Sequence, residues 1–368
     1  MRILVYGAAG EVYGGIESFL LNMNKFMSED CIFDYVIVGN RCIYADQIEA
    51  KGGQVYFVTS YKKNPLRFLM DSWRIAKAAR KSHKTAYFNL FSMCHITSVI
   101  ICRLWKYHIV LHSHNNGIPN KSSLYHMIHQ FGRWLLSGMK CTRLTNSDAS
   151  AVFMFGKKYS GNRKVKLVYN AIDTGRFRFS PAIRKRLRQE LRLEDHFVVG
   201  FAGRLSAQKN PIFLMEIFEQ IHIQNPQALF LVAGDGAYRK AMEEKARNGG
   251  FDQCVRFVGH RTDMDALYQA MDCFLLPSLF EGLGIVLVEA QAAGLHCFAS
   301  AEVIPPIVQL SEDVFHFVPL SKSAYYWAEQ ILTQGTVPLE REKWNDIVAA
   351  SPFYIEKEAK RLEGVLCS

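Results

Sequence analysis

Cys273-Phe274-Leu275-Leu276-Pro277-Ser278-Leu279-Phe280-Glu281-Gly282-Leu283-Gly284-Ile285-Val286-Leu287-Val288-Glu289-Ala290 reads in three parts. The first four residues are apolar and fit a short buried strand, which Pro277-Ser278 closes. Gly282 and Gly284 follow, and the run from Ile285 to Ala293 has the composition of a helix. Glycines at such a turn let the backbone come close to a ligand, and the free N–H groups of the helix start suit phosphate oxygens. Glu281 precedes the turn and Glu289 lies eight positions later, on the helix. An ionised carboxylate only accepts hydrogen bonds, so each matches a vicinal diol such as a ribose or a sugar ring edge. The bland reading of Glu289 is an acid favoured by the dipole at a helix start.

The same grammar extends toward the N-terminus. Phe197–Phe201 fits a strand, Gly203-Arg204-Leu205-Ser206-Ala207-Gln208-Lys209-Asn210-Pro211 a polar loop, and Ile212–Gln224 a helix. Arg204 and Lys209 can converge on a diphosphate and neutralise the charge that builds as a nucleotide leaves. Taken singly, a basic pair on a loop is more often solvated. Strands are also expected at Ala228–Ala233, ending in Gly234-Asp235-Gly236, at Val255–Val258 and at His296–Ala299. The first half repeats the pattern. Arg2–Tyr6 is a strand, Gly7–Gly15 holds four glycines, and Ile16–Phe26 is helical. Further strands follow at 34–38, 55–59, 86–90 and 108–112, with helices at 65–81 and 123–138 between them. Each half is therefore expected to be a doubly wound α/β unit, divided near the charged stretch Thr174–Leu193. In such sheets ligands bind beyond the carboxyl ends of the strands.

A chain of 368 residues suits two domains. No apolar run approaches the ~20 residues of a membrane-spanning helix, and Met1–Gly7 enters a glycine turn directly, so a cytoplasmic protein is expected. The nine cysteines include no C-x-x-C pair, which favours reduced thiols over a disulfide framework or a zinc site. The net charge of +10 is uneven: residues 1–175 hold 23 Lys and Arg against 10 Asp and Glu, and the remainder is slightly acidic. Lys62, Lys63, Arg67, Arg74, Lys77, Arg80, Lys81 and Lys84 carry much of the excess. A solvated helix face, a nucleic-acid surface and attachment to an anionic membrane leaflet compete as readings. No nucleic-acid motif accompanies the charge, so nucleic acid is not expected as a partner.

Gly203-Arg204…Lys209 together with Glu281-x7-Glu289 resembles the large retaining glycosyltransferase family of many capsule, exopolysaccharide and lipopolysaccharide enzymes, family 4 of the GT-B fold. Gly14-Gly15-Ile16-Glu17 resembles its N-terminal glycine loop, and His112-Ser113-His114-Asn115-Asn116 its histidine-bearing segment. Thr145-Asn146-Ser147 and Tyr169-Asn170-Ala171-Ile172-Asp173 resemble its pre-linker motifs. Phe257-Val258-Gly259-His260 is similar to its base-binding turn. The resemblance implies two Rossmann-like domains facing across a cleft: residues 1–173, with a crossover helix at 352–368, and residues 174–351. It implies that Arg204 and Lys209 bind the diphosphate and stabilise the departing nucleotide. Glu289 would hold the ribose hydroxyls and Glu281 would lie by the transferred sugar. Gly282, Leu283 and Gly284 would offer backbone N–H groups, and Gly259 and His260 would meet the base. Gly15 would close over the phosphates, and His114 would touch the donor sugar, with His112 as rival. Ala171 stands where many members have glycine, and Gly284 where proline is frequent; both put fine loop geometry in doubt.

The activity implied is retaining transfer of a hexose or N-acetylhexosamine from a nucleoside-diphosphate sugar, most often UDP-linked. The acceptor would be a saccharide or lipid-linked saccharide in surface polysaccharide synthesis, and the enzyme would be cytoplasmic or peripheral on the inner leaflet. No metal or other cofactor is expected. Asp263-Met264-Asp265 spells a metal-binding D-x-D, yet it opens a helix, where acids are favoured and residues two apart point in different directions. His112 and His114 lack a nearby third ligand for a metal. Two other readings remain. An NAD-dependent oxidoreductase is weakened because Gly7, Gly10, Gly14 and Gly15 do not follow G-x-G-x-x-G. A non-catalytic transferase-like subunit is weakened by the intact Arg204, Lys209, Glu281 and Glu289.

Overall fold

Arg2–Tyr6, almost wholly apolar and almost wholly buried, forms β1, an interior strand of a seven-stranded parallel sheet. The structure, a computed structural model, describes all residues except 12–13, 116, 118–121, 160 and 162–163. The remaining strands of this sheet are β2 (Ile32–Val38), β3 (Val55–Val58), β4 (His83–Leu90), β5 (His108–Ser113), β6 (Thr142–Thr145) and β7 (Val165–Leu167). Their order is β3-β2-β1-β4-β5-β6-β7, so the winding reverses between β1 and β4. Such a reversal leaves a crevice at the carboxyl ends of the two strands. Helices Gly15–Phe26, Ala45–Ala50 and Ile355–Leu366 share one core layer with one face of the sheet. Helices Pro65–Ala79, Thr97–Leu104, Ser123–Ser137 and Asp148–Phe155 share the layer on the other. Covering both faces is what a parallel sheet of near-continuous apolar strands requires.

The second unit repeats the plan with β8 (Phe197–Ala202), β9 (Ala228–Ala233), β10 (Val255–Gly259), β11 (Cys273–Leu276), β12 (His296–Ser300) and β13 (Phe315–Val318). All pair in parallel in the order β10-β9-β8-β11-β12-β13, with the reversal between β8 and β11. Every residue of β9, β11 and β12 is buried.

The chain divides at slightly different places from those the sequence suggests. One compact unit comprises Met1–Ala171 with Ile355–Ser368, the other Ile172–Tyr354. The physical reason is local: Ile172 forms an isolated parallel bridge with Tyr354, and its N–H donates to the Phe353 carbonyl at 2.9 Å. The charged stretch Thr174–Leu193, expected as the boundary, lies inside the second unit. There Pro181–Leu191 is a helix started by Pro181 and capped by Ser180. Its Arg184 and Arg188 both reach Asp272, just before β11, at 2.5 and 3.1 Å. Among the described residues no helix is long and apolar enough to cross a membrane.

Candidate functional site

In the second unit the loops after β8, β9, β10 and β11 interlock. Gly203 follows β8 and Gly234 follows β9, both with positive φ. A Cβ on Gly234 would lie 1.9 Å from the Gly203 carbonyl oxygen, so the two loops touch backbone to backbone. The Gly234 N–H donates to the Gly259 carbonyl at 2.7 Å, and the Leu205 N–H to Asp235 at 2.9 Å. The Leu279 N–H, after β11, donates to the Gln208 carbonyl at 2.8 Å. A lip of four strand ends is thereby fixed by main-chain bonds, and the side chains on it are held in turn.

Lys209 and Glu281 meet on this lip. The Lys209 ammonium pairs with Glu281 Oε1, and both side chains are largely buried. The Ser278 hydroxyl donates to the same oxygen at 2.8 Å, and Gln208 donates to the Phe280 carbonyl at 3.0 Å. Arg204 stands exposed at the end of β8 with no acidic partner among the described residues. An exposed guanidinium, a lysine that can exchange one anion for another, and a glycine turn have the chemistry to take a polyanion. Gly284, in the left-handed region at φ +77°, starts the helix Ile285–Ala292, and no side chain caps it. The first amides of that helix are therefore available to an acceptor oxygen. Leu283 is buried, whereas nothing lies within 4 Å of a Cβ built on Gly282.

Glu289, the fifth residue of this helix, belongs to a different cluster from Glu281. It accepts a hydrogen bond from the Tyr268 hydroxyl at 2.8 Å, and Tyr268 is fully buried. Burial pushes the Glu289 carboxyl up to about 7, against the opposing pull of Tyr268 and of the Arg176 charge. An acid placed only by the helix dipole would shift the other way. Arg176 itself is paired with Asp265 at 2.7 Å. Asp263 is gripped by Arg261 through two bonds of 2.7 and 2.5 Å. The D-x-D carboxylates thus answer to two different arginines, as expected for residues two apart at the start of the helix Met264–Ala270. His260 is exposed beside Gly259, whose φ is +68°.

The first unit gathers its own polar groups at the ends of β1, β4 and β5. A Cβ on Gly7, after β1, would meet the Asn89 carbonyl at 1.9 Å. Asn89 donates to the Tyr6 carbonyl at 3.2 Å and presents its Oδ1 to His114 Nε2 at 2.8 Å. With Nε2 donating, His114 Nδ1 is left with a lone pair. Burial pushes this imidazole down to about 3, so it is neutral at pH 7. His112, inside β5, is wholly buried, its Nδ1 2.6 Å from the Tyr87 hydroxyl and its Nε2 without a partner among the described residues. The two rings lie 4.0 Å apart, and Phe19 meets both edge-on. His112 is an interior group, while His114 follows the strand and is only half-buried. The glycine loop is pinned by Glu17, which accepts the Ala9 N–H at 2.6 Å and the Gly14 N–H at 3.0 Å. Space is open around a Cβ on Gly15. Asn116, the last residue of the histidine-bearing segment, lies outside the described residues.

Sequence reasoning missed Asn89, Glu17's stapling role, Gln208, Ser278, Tyr268 and Arg176. Asn89 carried a usable signal, since it ends a strand; Tyr268 carried none.

Residues 183–333, which span the whole lip, match the family model of group 1 glycosyl transferases. The putative glycosyltransferase EpsF of Bacillus subtilis is 28% identical over 335 residues, covering 86% of this chain and 84% of that protein. The UDP-Gal:alpha-D-GlcNAc-diphosphoundecaprenol alpha-1,3-galactosyltransferase of Escherichia coli is 32% identical over 182 residues, 46% of this chain and 45% of its own. Among solved structures, Anabaena HepE in complex with UDP superposes with a TM-score of 0.81 at 21% identity, covering 100% of both chains.

Proposed function

We propose, the chain being a glycosyltransferase of the GT-B, family 4 type, that it moves a hexose or N-acetylhexosamine from a UDP-sugar to a saccharide or lipid-linked saccharide acceptor. The product retains the donor's anomeric configuration and enters surface polysaccharide. UDP is favoured because it is the nucleotide crystallised with HepE and named in the Escherichia coli relative. That relative's named acceptor is a diphosphoundecaprenol-linked sugar, which favours a lipid-linked acceptor here.

The observation that carries this reading is the Lys209–Glu281 pair beside the exposed Arg204 on a glycine-lined lip. Arg204 and Lys209 take the pyrophosphate, together with the uncapped helix start at Gly284. Glu281, freed from Lys209, accepts hydroxyls of the transferred sugar. Glu289 accepts the ribose diol, and Gly259 and His260 border the base. His114, neutral, keeps Nδ1 as a hydrogen-bond acceptor at the strand ends of the first unit. The bond from the anomeric carbon to the β-phosphate oxygen breaks, and its electron pair stays on the phosphate. The acceptor oxygen bonds to that carbon on the same face, and its proton passes to the departing phosphate oxygen. In this reading fixed cations stabilise the charge that develops there in place of a divalent ion, and a chelator is expected to leave the rate unchanged.

The test is product formation by purified protein from a panel of UDP-, GDP- and ADP-sugars with saccharide acceptors. Lys209→Ala is expected to lower kcat by about 100-fold or more, the scale of losing one preorganised charge. Transfer undiminished in Lys209→Ala would sink the assignment.

A further inference from the structure

Three sulfurs and a carboxylate come together where the last helix of the chain meets the turn ahead of β2. Met27 closes the helix Gly15–Phe26, and the turn that follows returns the Cys31 N–H to the Ser28 carbonyl at 3.0 Å. Cys31 Sγ then lies 3.6 Å from Met27 Sδ, with both residues buried. The other half of the cluster comes from the far end of the chain. Glu363 and Cys367 are one helical turn apart, the Cys367 N–H donating to the Glu363 carbonyl at 2.9 Å, so their side chains share a face. Glu363 is held by the turn, accepting the Ser28 N–H at 3.1 Å and the Ser28 hydroxyl. One ligand atom from each of Cys31, Glu363 and Cys367 lies within 4.8 Å of the other two. No other three His, Cys, Asp or Glu side chains among the described residues converge in this way.

Packing alone does not account for this cluster. Cys367 is exposed, so its thiol is not there to fill the core. Burial, and then the neighbouring Cys367 and Glu363, push the Cys31 thiol up to about 12 against the pull of the N-terminal ammonium. Groups that are anionic when ionised thus oppose one another, and a cation placed among them reverses that opposition. Glu363 spends one lone pair of each oxygen on Ser28 and keeps others to offer. We propose that Cys31, Cys367 and Glu363 bind a thiophilic d10 cation, Zn(II) or Cu(I), which ties the last helix to the turn ahead of β2. Sulfur ligands select these ions, whereas magnesium and calcium take sets of oxygens. A tetrahedral ion with bonds of about 2.3 Å to sulfur holds its ligands about 3.8 Å apart, so the cluster contracts by about 1 Å or less. Each thiol gives its proton to solvent as its sulfur binds. The site lies at the amino ends of the strands in the first sheet, opposite the end that carries Gly7, Asn89 and His114. It takes no part in the transfer reaction and does not rest on it.

The test uses the full-length chain, reduced with a phosphine and stripped of metal. Cobalt(II), a spectroscopic stand-in for zinc, should give the charge-transfer absorption of thiolate ligands, which added zinc then erases. Cu(I) is offered in parallel from a coloured chelator whose bleaching reports uptake. Cys367→Ser should weaken binding by more than about 100-fold, beyond the 10–100-fold cost of losing a residue that only supports a ligand. Cys254→Ser, a half-buried thiol in the second unit, should bind as the parent does. Saturating ion should raise the melting temperature of the first unit. Cys367→Ser changes an exposed residue, so it should melt with the metal-free parent and lose that rise. Copper affinity that falls several-fold in Met27→Leu supports the proposal with Cu(I) as the ion, because thioether sulfur is a copper ligand. Zinc affinity indifferent to Met27→Leu supports it with Zn(II). Absence of both the charge-transfer band and copper uptake overturns the proposal, as does binding unchanged in Cys367→Ser. A chain that transfers sugar yet takes up neither ion removes this inference and leaves the preceding one; a chain that binds the ion and transfers nothing does the reverse.

Discussion

Glu289 shows how burial sets the behaviour of one side chain. Its carboxyl, held up to about 7, binds a proton more tightly in the folded chain than in the unfolded one, where the value is 4.5. The stability it contributes is therefore complete below about 4.5 and is lost as pH rises through about 7. Glu289→Gln keeps an acceptor for Tyr268 and cannot ionise. Its melting temperature should match the parent near pH 4 and exceed it by a few degrees near pH 8. With Glu289 at the ribose as proposed, donor KM of the parent should tighten between about pH 6 and 8 and the variant should lose that tightening, because an ionised carboxylate accepts both hydroxyls of a diol. A donor KM with an identical pH profile in parent and variant would take Glu289 out of the ribose site. At this scale the sequence marks the residues that follow strands and leaves out their supports. Lys209 and Glu281 were legible as a pair of segments 72 positions apart, and their direct contact was not. Tyr268 acquires meaning only because the fold lays its helix against the one that carries Glu289.

At the scale of elements, the loops after the strands act as one piece because glycine lets them touch. Gly234 combines a φ of +131° with a Cβ position 1.9 Å from the Gly203 carbonyl. Gly234→Ala must push the loop after β8 outward, and Arg204 with it. The expected result is a tenfold or greater loss of donor affinity by calorimetry, with destabilisation of about 1–3 kcal/mol. Gly282→Ala, where a Cβ meets nothing within 4 Å, should leave the melting temperature unchanged. Elements with strong periodicity or a glycine turn at their end were readable from sequence. The short strands β6, β7 and β13 were not, since Arg143, Lys166 and His316 interrupt the continuous apolar run that marks the equally short β3 and β11. The helix Ser123–Ser137 exposes a subtler limit. Its periodicity announces a helix, but an apolar stripe does not say whether protein or something else covers it.

At the scale of the molecule, two doubly wound sheets follow from the alternation of strand and helix along the chain, and the similarity to HepE supports that architecture throughout. The division between units was read a few residues off, because the bridge between Ile172 and Tyr354 joins positions far apart in sequence. The helix Ile355–Leu366 completes the first unit, burying Ile355, Ala359, Leu362, Val365 and Leu366 against the core that includes Phe19 and Leu20. Its four large side chains represent about 6–12 kcal/mol of burial. That is comparable to the entire ~5–15 kcal/mol stability of a typical domain. Deleting residues 355–368 should abolish the calorimetric transition of the first unit and leave that of the second.

The same helix imposes an order on biosynthesis. The ribosome finishes the body of the first unit early, then must make all of Ile172–Tyr354 before the closing segment exists. At about 5–20 residues per second, that delay is roughly ten to forty seconds. Throughout it the face of the nascent sheet that this helix shares is covered only by Gly15–Phe26 and Ala45–Ala50, so the half of the protein translated first is the half completed last.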